Sequence, residues 1–217
     1  SIPGVDAVIG TSDKLRIDEI ISDYSKRNRP ELHVSSVDDA IFSFSQSADE
    51  DSRTRAFLKI QDGCDYSCSF CTIPLARGKS RSIDISEIPN RIRQLEEQEY
   101  HEIILSGINL GDYSHDDSSF IDVLHLIESL DTKARFRIGS IEPNLVNESI
   151  LRLIASSNKI VPHLHMPLQS GSQSVLKRMK RRYKISSYYD NLILCKQLMP
   201  NACIGADVIV GFPGETD

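Results

Sequence analysis

The chain has 217 residues, a net charge of −6 and five cysteines. That length can bury a sizeable core and suits one domain or one and a half. No run approaches the apolar length of a membrane span, the first residues lack a signal-peptide pattern, and five cysteines are too few and too uneven for a disulfide framework. The acidity argues against a self-sufficient nucleic-acid binder, because a phosphate backbone rewards many Lys and Arg, but it leaves room for one local basic face.

Val5–Ile9 reads as a short strand closed by Gly10, and Thr11 or Ser12 can cap a helix running to about Ser25. Ile17, Ile20, Ile21 and Tyr24 recur at helical spacing, which predicts one buried face. Asn28-Arg29-Pro30 stops that helix, so residues 1–30 form a small β-α unit. Residues 31–55 read as a linker: Ile41–Phe44 alternates like an edge strand, and Ser45–Arg55 is polar and charged.

From Ala56 onward strands and helices alternate. Predicted strands are Ala56–Gln61, Glu102–Leu105, Arg135–Ile138, Val161–Met166 and Ile204–Val210. Predicted helices open at Ser86-Glu87-Ile88-Pro89, at Ser119 and at Asn147, followed by Ser172–Met179 and a stretch from Ser186 to Leu198. Ile88, Ile92 and Leu95 share one helix face, and Phe120, Val123, Leu124, Ile127 and Leu130 share another. This order predicts an α/β fold of parallel strands with helical crossovers, in which ligands bind beyond the strands' C-terminal ends. The last residues, Gly-Phe-Pro-Gly-Glu-Thr-Asp, read as a loop opening a helix, so the chain is expected to be a fragment.

The first strand runs into the most informative stretch. Cys64, Cys68 and Cys71 are spaced C-x3-C-x2-C, close enough for three thiolates to hold three corners of a cubic iron–sulfur cluster. No fourth cysteine follows before Cys195, which would leave one iron without a local protein ligand. Zinc and inert thiols are the alternatives. Zinc wants a fourth ligand, and the nearest histidines, His101 and His115, are not paired as a zinc ribbon requires. Cys195, among Leu192, Ile193, Leu194 and Leu198, reads as a buried, inert thiol.

The other strand ends are polar or glycine-rich. Ser106-Gly107-Ile108-Asn109 follows the second strand, and Gly107 allows backbone to approach a ligand closely. Ser140 and Glu142 end the third strand and suit hydroxyl groups. His163 and His165 alternate to one face of the fourth, with Gln169 just beyond; His165 and Gln169 are the candidate lining residues. Asp207, Val210 and Gly211 lie at the end of the fifth. Arg77, Lys79 and Arg81 follow the cysteine loop, and six cations crowd positions 177–184, including Lys180, Arg181 and Arg182. That density can attract phosphate or a carboxylate despite the negative total, although a solvated helix end is the simpler account.

The cysteine spacing, with the aromatic Phe70 before the last cysteine, resembles the signature of the radical S-adenosylmethionine superfamily. The block FLKIQDGCDYSCSFCTIPLARGKSRS (residues 57–82) is similar to the methylthiotransferases of tRNA and ribosomal protein, with Asp65 standing where Asn is usual. KIQDGC, LARGKSRS, GSIEPNLV and LKRMKRRY together look most like the branch that converts N6-threonylcarbamoyladenosine at tRNA position 37 to its 2-methylthio form. The resemblance covers nearly the whole chain, most strongly residues 56–217.

The resemblance implies a partial (β/α)6-type barrel, incomplete at its C-terminal side, with residues 1–30 as a remnant of an N-terminal α/β domain. It implies a [4Fe–4S] cluster on Cys64, Cys68 and Cys71 and S-adenosylmethionine on the open iron. It places the methionine amino group against Ser106, Gly107 and Asn109, ribose against Ser140 and Glu142, and adenine along Val210 and Gly211. Phe70, His165, Gln169 and Arg181 complete that set, with Arg181 able to pair with the methionine carboxylate. Arg77, Lys180 and Arg182 are candidate contacts to the anticodon loop of tRNA. A second [4Fe–4S] cluster and a one-electron donor such as flavodoxin or ferredoxin are also implied, in a cytoplasmic setting with no membrane partner. No cysteine precedes Cys64, so residues 1–217 hold no ligand set for that second cluster.

Overall fold

In a computed structural model the described residues are 3–22, 29–37, 46–47 and 54–216. The chain starts with strand β1 (Ala7–Ile9), a 3-10 turn at Lys14–Arg16 and helix α1 (Ile17–Ser22), followed by β2 (Glu31–His33), which pairs in parallel with β1. The predicted helix thus begins later than Thr11. Ser12 donates instead to the Ser36 carbonyl at 2.9 Å, and the Asp13 carboxylate accepts from the Ser35 amide (2.8 Å) and hydroxyl (3.0 Å), tying the turn to the end of β2. No residue of α1 is buried; Ile17 and Ile21 are 45% and 52% exposed, which corrects the expectation of a buried face. Tyr24 lies outside the described residues, as does the Ile41–Phe44 strand.

Two parts of the expected linker are strand. Residues 31–33 form β2, and β3 (Gln46–Ser47) runs antiparallel to β4 (Ala56–Lys59). Local polarity hides such short pieces because backbone pairing with a neighbouring strand defines them.

After β4, Ile60 continues toward β7 through its amide, and β5 (Gln61–Asp62) turns away to pair antiparallel with β6 (Arg81–Ser82). Helix α2 (Ile73–Arg77) lies between these two short strands. Then come α3 (Ile88–Glu97), β7 (Glu102–Ser106), a small β8 (Ser114–His115) and β9 (Ser118–Ser119) hairpin, α4 (Phe120–Ser129), β10 (Arg135–Ile138) and α5 (Glu148–Ser156). The described chain closes with β11 (His163–His165), α6 (Gln173–Arg178), α7 (Ile185–Leu198) and β12 (Cys203–Gly205).

β4, β7 and β10 pair in parallel in that order, and single bridges at Phe136–Ile160 and Ser140–His165 carry the sheet on to β11, which pairs in parallel with β12. Each strand therefore neighbours the next one in sequence. A doubly wound sheet would reverse direction at a switch point, whereas a sequential order is that of a singly wound, barrel-type sheet.

Sequence chemistry sets the helix starts. In α4 the Asp122 carboxylate accepts from the Ser119 amide at 2.8 Å and its hydroxyl at 2.6 Å; at α5 the Asn147 side chain accepts from the Ile150 amide at 3.0 Å. Pro89 occupies the first turn of α3, where a missing N–H costs nothing. The helices bury the predicted faces: Ile88, Ile92 and Leu95 from α3, and Phe120, Val123, Leu124 and Ile127 from α4, with Leu130 partly covered. They meet Leu58, Ile103, Leu105, Phe136, Ile138 and Leu164 from the strands, each such side chain contributing about 1.5–3 kcal/mol as an upper figure. At the N-terminal end of β7, Glu102 is buried and binds Arg55, Arg135 and Arg137 at 3.1, 2.6 and 2.9 Å. No helix among the described residues is long and apolar enough to cross a membrane.

Candidate functional site

The step from β5 into the cysteine loop is fixed by backbone. Gly63 has φ +72°, and a Cβ placed there would lie 2.0 Å from the Lys79 carbonyl oxygen, so no side chain fits. The Cys64 amide donates to the Gly78 carbonyl at 3.1 Å, and the Cys71 amide to that of Cys68 at 3.1 Å, folding the loop back on itself. All three cysteines are free thiols; Cys68 is buried, Cys64 and Cys71 half-buried. Burial pushes the Cys64 thiol above its ordinary range, against the Tyr66 amide that donates to its sulfur at 3.4 Å.

The loop docks on the basic segment after α6. The Ser69 amide donates to the Met179 carbonyl (3.1 Å) and its hydroxyl to that of Arg178 (3.0 Å). Arg182 lies over the Tyr66 ring, 3.9 Å from its centre, and donates to the Asp65 carbonyl at 2.9 Å. The Arg181 side chain is almost fully buried and donates through Nη1 to Cys68 Sγ at 3.2 Å and through Nη2 to Glu142. Burial would depress its pKa; the Glu142 carboxylate outweighs that and keeps the guanidinium charged.

The chain of contacts continues. The Glu142 amide donates to Asn109 Oδ1 at 3.2 Å, and the Ile108 and Asn109 amides both donate to Gln61 Oε1 at 2.8 and 3.0 Å. The ends of the first three core strands and the basic segment are thereby linked back to the thiol of Cys68. Asn109 Nδ2 and Arg181 Nε, both in this set, are buried without a partner, as is Asp112 Oδ2, whose amide donates to the Asn109 carbonyl at 3.1 Å. Buried polar atoms left unpaired cost roughly 1–3 kcal/mol each, so each of these would gain from a polar partner.

A second chain crosses the later strand ends. Ser140 Oγ lies 2.7 Å from His165 Nδ1, and His165 Nε2 lies 3.3 Å from Asp207 Oδ1. Gln169 is buried, with φ +63°, and its backbone pairs with Asp207 and Ile209. Val210 and Gly211 are exposed, but the same segment folds back so that Gly214 meets Arg178. Phe70 and Lys180 are exposed, and Arg77 binds Asp62 at 3.1 Å. His163 sits at the other end of β11, its pKa pushed down by burial and then by Arg137.

Sequence alone did not single out Gln61, Asp62, Asp112 or Asn144. Asn144 donates to the Tyr66 hydroxyl at 2.8 Å. Asp62 is fully buried and holds Lys59 (2.6 Å), Arg77, Arg81 (3.2 Å) and Lys14 (3.7 Å), the last reaching across from the β1-α1-β2 unit. Burial pushes its carboxyl up, but Lys59, Arg77 and the Gly63 amide together hold it at about 2. A signal existed in the apolar/polar break at Gln61-Asp62 directly before Gly63-Cys64.

Among the described residues no three His, Cys, Asp or Glu side chains are placed to share one metal ion. A cubic cluster takes each thiolate on a different iron, so three thiols spread along one loop, two of them already facing N–H donors, suit it better than they suit a mononuclear site.

The residue pattern and the strand-end site agree with the Radical SAM superfamily, whose family description matches residues 58–217, and the chain belongs to that superfamily. Over its whole length it is 41% identical to the threonylcarbamoyladenosine tRNA methylthiotransferase MtaB of Bacillus subtilis, covering 49% of that protein. It is 32% identical, over 99% of its length and 48% of the relative, to a tRNA-2-methylthio-N(6)-dimethylallyladenosine synthase of Clostridium botulinum. The chain thus spans about half the length of these relatives. Among solved structures, the radical S-adenosylmethionine methyltransferase TsrM of Kitasatospora setae, with cobalamin and a [4Fe-4S] cluster bound, aligns over 74% of this chain and 32% of its own at TM-score 0.62 and 15% identity, a likeness of fold.

Proposed function

We propose that this chain is the cluster- and cofactor-binding core of an enzyme that methylthiolates C2 of N6-threonylcarbamoyladenosine at position 37 of tRNA. The observation that carries the radical-enzyme core is the linked set Cys68–Arg181–Glu142–Asn109, with unpartnered buried Nδ2 and Nε atoms beside the three free thiols. The preference for the threonylcarbamoyladenosine branch rests on 41% identity to one of its members against 32% for the dimethylallyladenosine relative.

In this reading Cys64, Cys68 and Cys71 hold a [4Fe–4S] cluster, and together with S-adenosylmethionine that cluster supplies hydrogen-atom abstraction from an unreactive C–H bond. The protein binds and orients. Asn109 Nδ2 and Arg181 Nε offer donors to the amino-acid end of the cofactor, Gly107 admits it to the backbone, and Ser140, held by His165, faces a ribose hydroxyl. Glu142 is occupied by Arg181 and acts by fixing that guanidinium. Gln169, Val210 and Gly211 border the base, and Phe70 covers the exposed side of the loop. Arg77, Lys180 and Arg182 rim the loop where the tRNA phosphates approach. The reaction draws electrons from a one-electron donor such as flavodoxin or ferredoxin, and a second [4Fe–4S] cluster is held by residues outside this sequence.

Anaerobic reconstitution with iron and sulfide tests the proposal. Near four irons per chain, and an electron-resonance spectrum of the reduced protein altered by S-adenosylmethionine, are expected, with each of Cys64→Ala, Cys68→Ala and Cys71→Ala losing the iron. Well-folded protein that takes up no iron, or whose spectrum ignores the cofactor, overturns it. Substrate branch is read separately, by supplying the full-length enzyme with tRNA carrying either modified adenosine.

A further inference from the structure

Gln61 is fully buried, and every polar atom of its carboxamide is used. The two N–H groups of Nε2 are shared among the carbonyls of Asp62 (3.2 Å) and Gly63 (2.9 Å) and Ser80 Oγ (2.9 Å), which lie on the two sides of the cysteine loop. Oε1 accepts from two successive amides, Ile108 and Asn109, at 2.8 and 3.0 Å. The two ends of one side chain therefore grip two different loops, one before the cysteines and one after β7. Gly107 is matched to this contact: a Cβ there would meet Gln61 Oε1 at 2.9 Å and Gln61 Cβ at 3.1 Å. Asn109, held through its backbone in this way, is 2% exposed, accepts from the Glu142 amide and leaves its own Nδ2 unpartnered.

We propose that Gln61 is a positioning residue: its carboxamide fixes the Gly107–Asn109 backbone against the cysteine loop, and the affinity of the site for S-adenosylmethionine depends on that link. The inference rests on the function proposed above for the same site. A neutral amide is suited to the task because one group must both donate to carbonyls and accept from amides; a carboxylate or an ammonium can do only one of these. The cost of losing it falls on two N–H groups, that of Asn109 buried and that of Ile108 partly buried.

The test compares Gln61→Met, similar in length but without the carboxamide, with the unaltered chain. Three quantities are read: hydrogen exchange at the Ile108 and Asn109 amides before loading, iron per chain after anaerobic reconstitution, and the dissociation constant for S-adenosylmethionine by equilibrium dialysis of the loaded protein. The expected result is exchange faster by about 10-fold at those two amides and cofactor affinity weaker by about 10-fold, with iron content unchanged. Unchanged exchange and affinity overturn the proposal, and so does loss of iron in parallel with affinity, which would place the role of Gln61 in the cysteine loop alone. If Gln61→Met does not fold, Gln61→Leu, which also removes the carboxamide and keeps an apolar side chain of similar bulk, is read in the same way. Should the unaltered chain bind neither iron nor cofactor, the proposed function fails, whereas the exchange measurement still reports whether the link exists.

Discussion

Residues 3–37 and 54–216 are written in the same alternation of strand and helix, yet they differ in what covers their helices. α3 sets Ile88, Ile92 and Leu95 on one face and buries all three almost completely. α1 sets Ile17 and Ile21 at comparable spacing and leaves both about half exposed; Val8 and Leu32 on the paired strands and Val34 just after β2 are exposed as well. Periodicity reports which face of a helix is apolar; only the presence of a neighbouring layer decides whether that face is dry. In the core that layer is the sequential parallel sheet, and in the first unit a two-stranded sheet is too small to supply it.

Mutations should expose this difference as a gradient of stability. Phe136 is completely buried in β10, so Phe136→Ala is expected to cost about 3–5 kcal/mol, read as a shifted urea midpoint. Asp62 comes next, as a carboxylate that binds cations of both regions. Its carboxyl titrates at about 2 in the folded chain against an ordinary 3.8, so its contribution is complete above about pH 4 and is lost as the pH falls toward 2. Unfolding free energies measured across that window should fall by about 2 kcal/mol in the unaltered chain beyond any fall seen in Asp62→Asn. Equal slopes for the two proteins would show that the cations around Asp62 do not act through its charge. The smallest effect belongs to α1: Ile21→Ala should change stability by no more than about 0.5 kcal/mol. A loss as large as that of Phe136→Ala would mean the first unit is as well covered as the core.

Most of the core was legible in advance. The strands at Arg135–Ile138 and Glu102–Leu105, the caps at Ser119 and Asn147 and the buried faces of α3 and α4 follow from local patterns, and local patterns are what alternation and capping report. The cysteine loop was legible because its three thiols lie within eight residues. The connections between strand ends were not. Gln61 reaches amides 47 and 48 residues away, and Arg181 reaches Glu142 across 39. No local signal encodes a partner at that distance; only the parallel sheet, by bringing successive strand ends together, creates it. For the same reason Glu142 read as a free carboxylate for a ligand, whereas the fold had already committed it to an arginine. Gln61 itself passed as one more residue of a strand, since the polar break at Gln61-Asp62 marks where the strand stops but not that this amide is buried.

The glycine that opens the cysteine loop has a consequence at the level of the gene. With the Lys79 carbonyl oxygen 2.0 Å from where its Cβ would stand, position 63 has no space for the smallest side chain. Every missense change in that codon adds at least a methyl group and pushes the backbone of Lys79, whose neighbour Gly78 receives the amide of Cys64. Silent substitution is therefore the sole form of drift this codon can absorb without moving the thiol beside it.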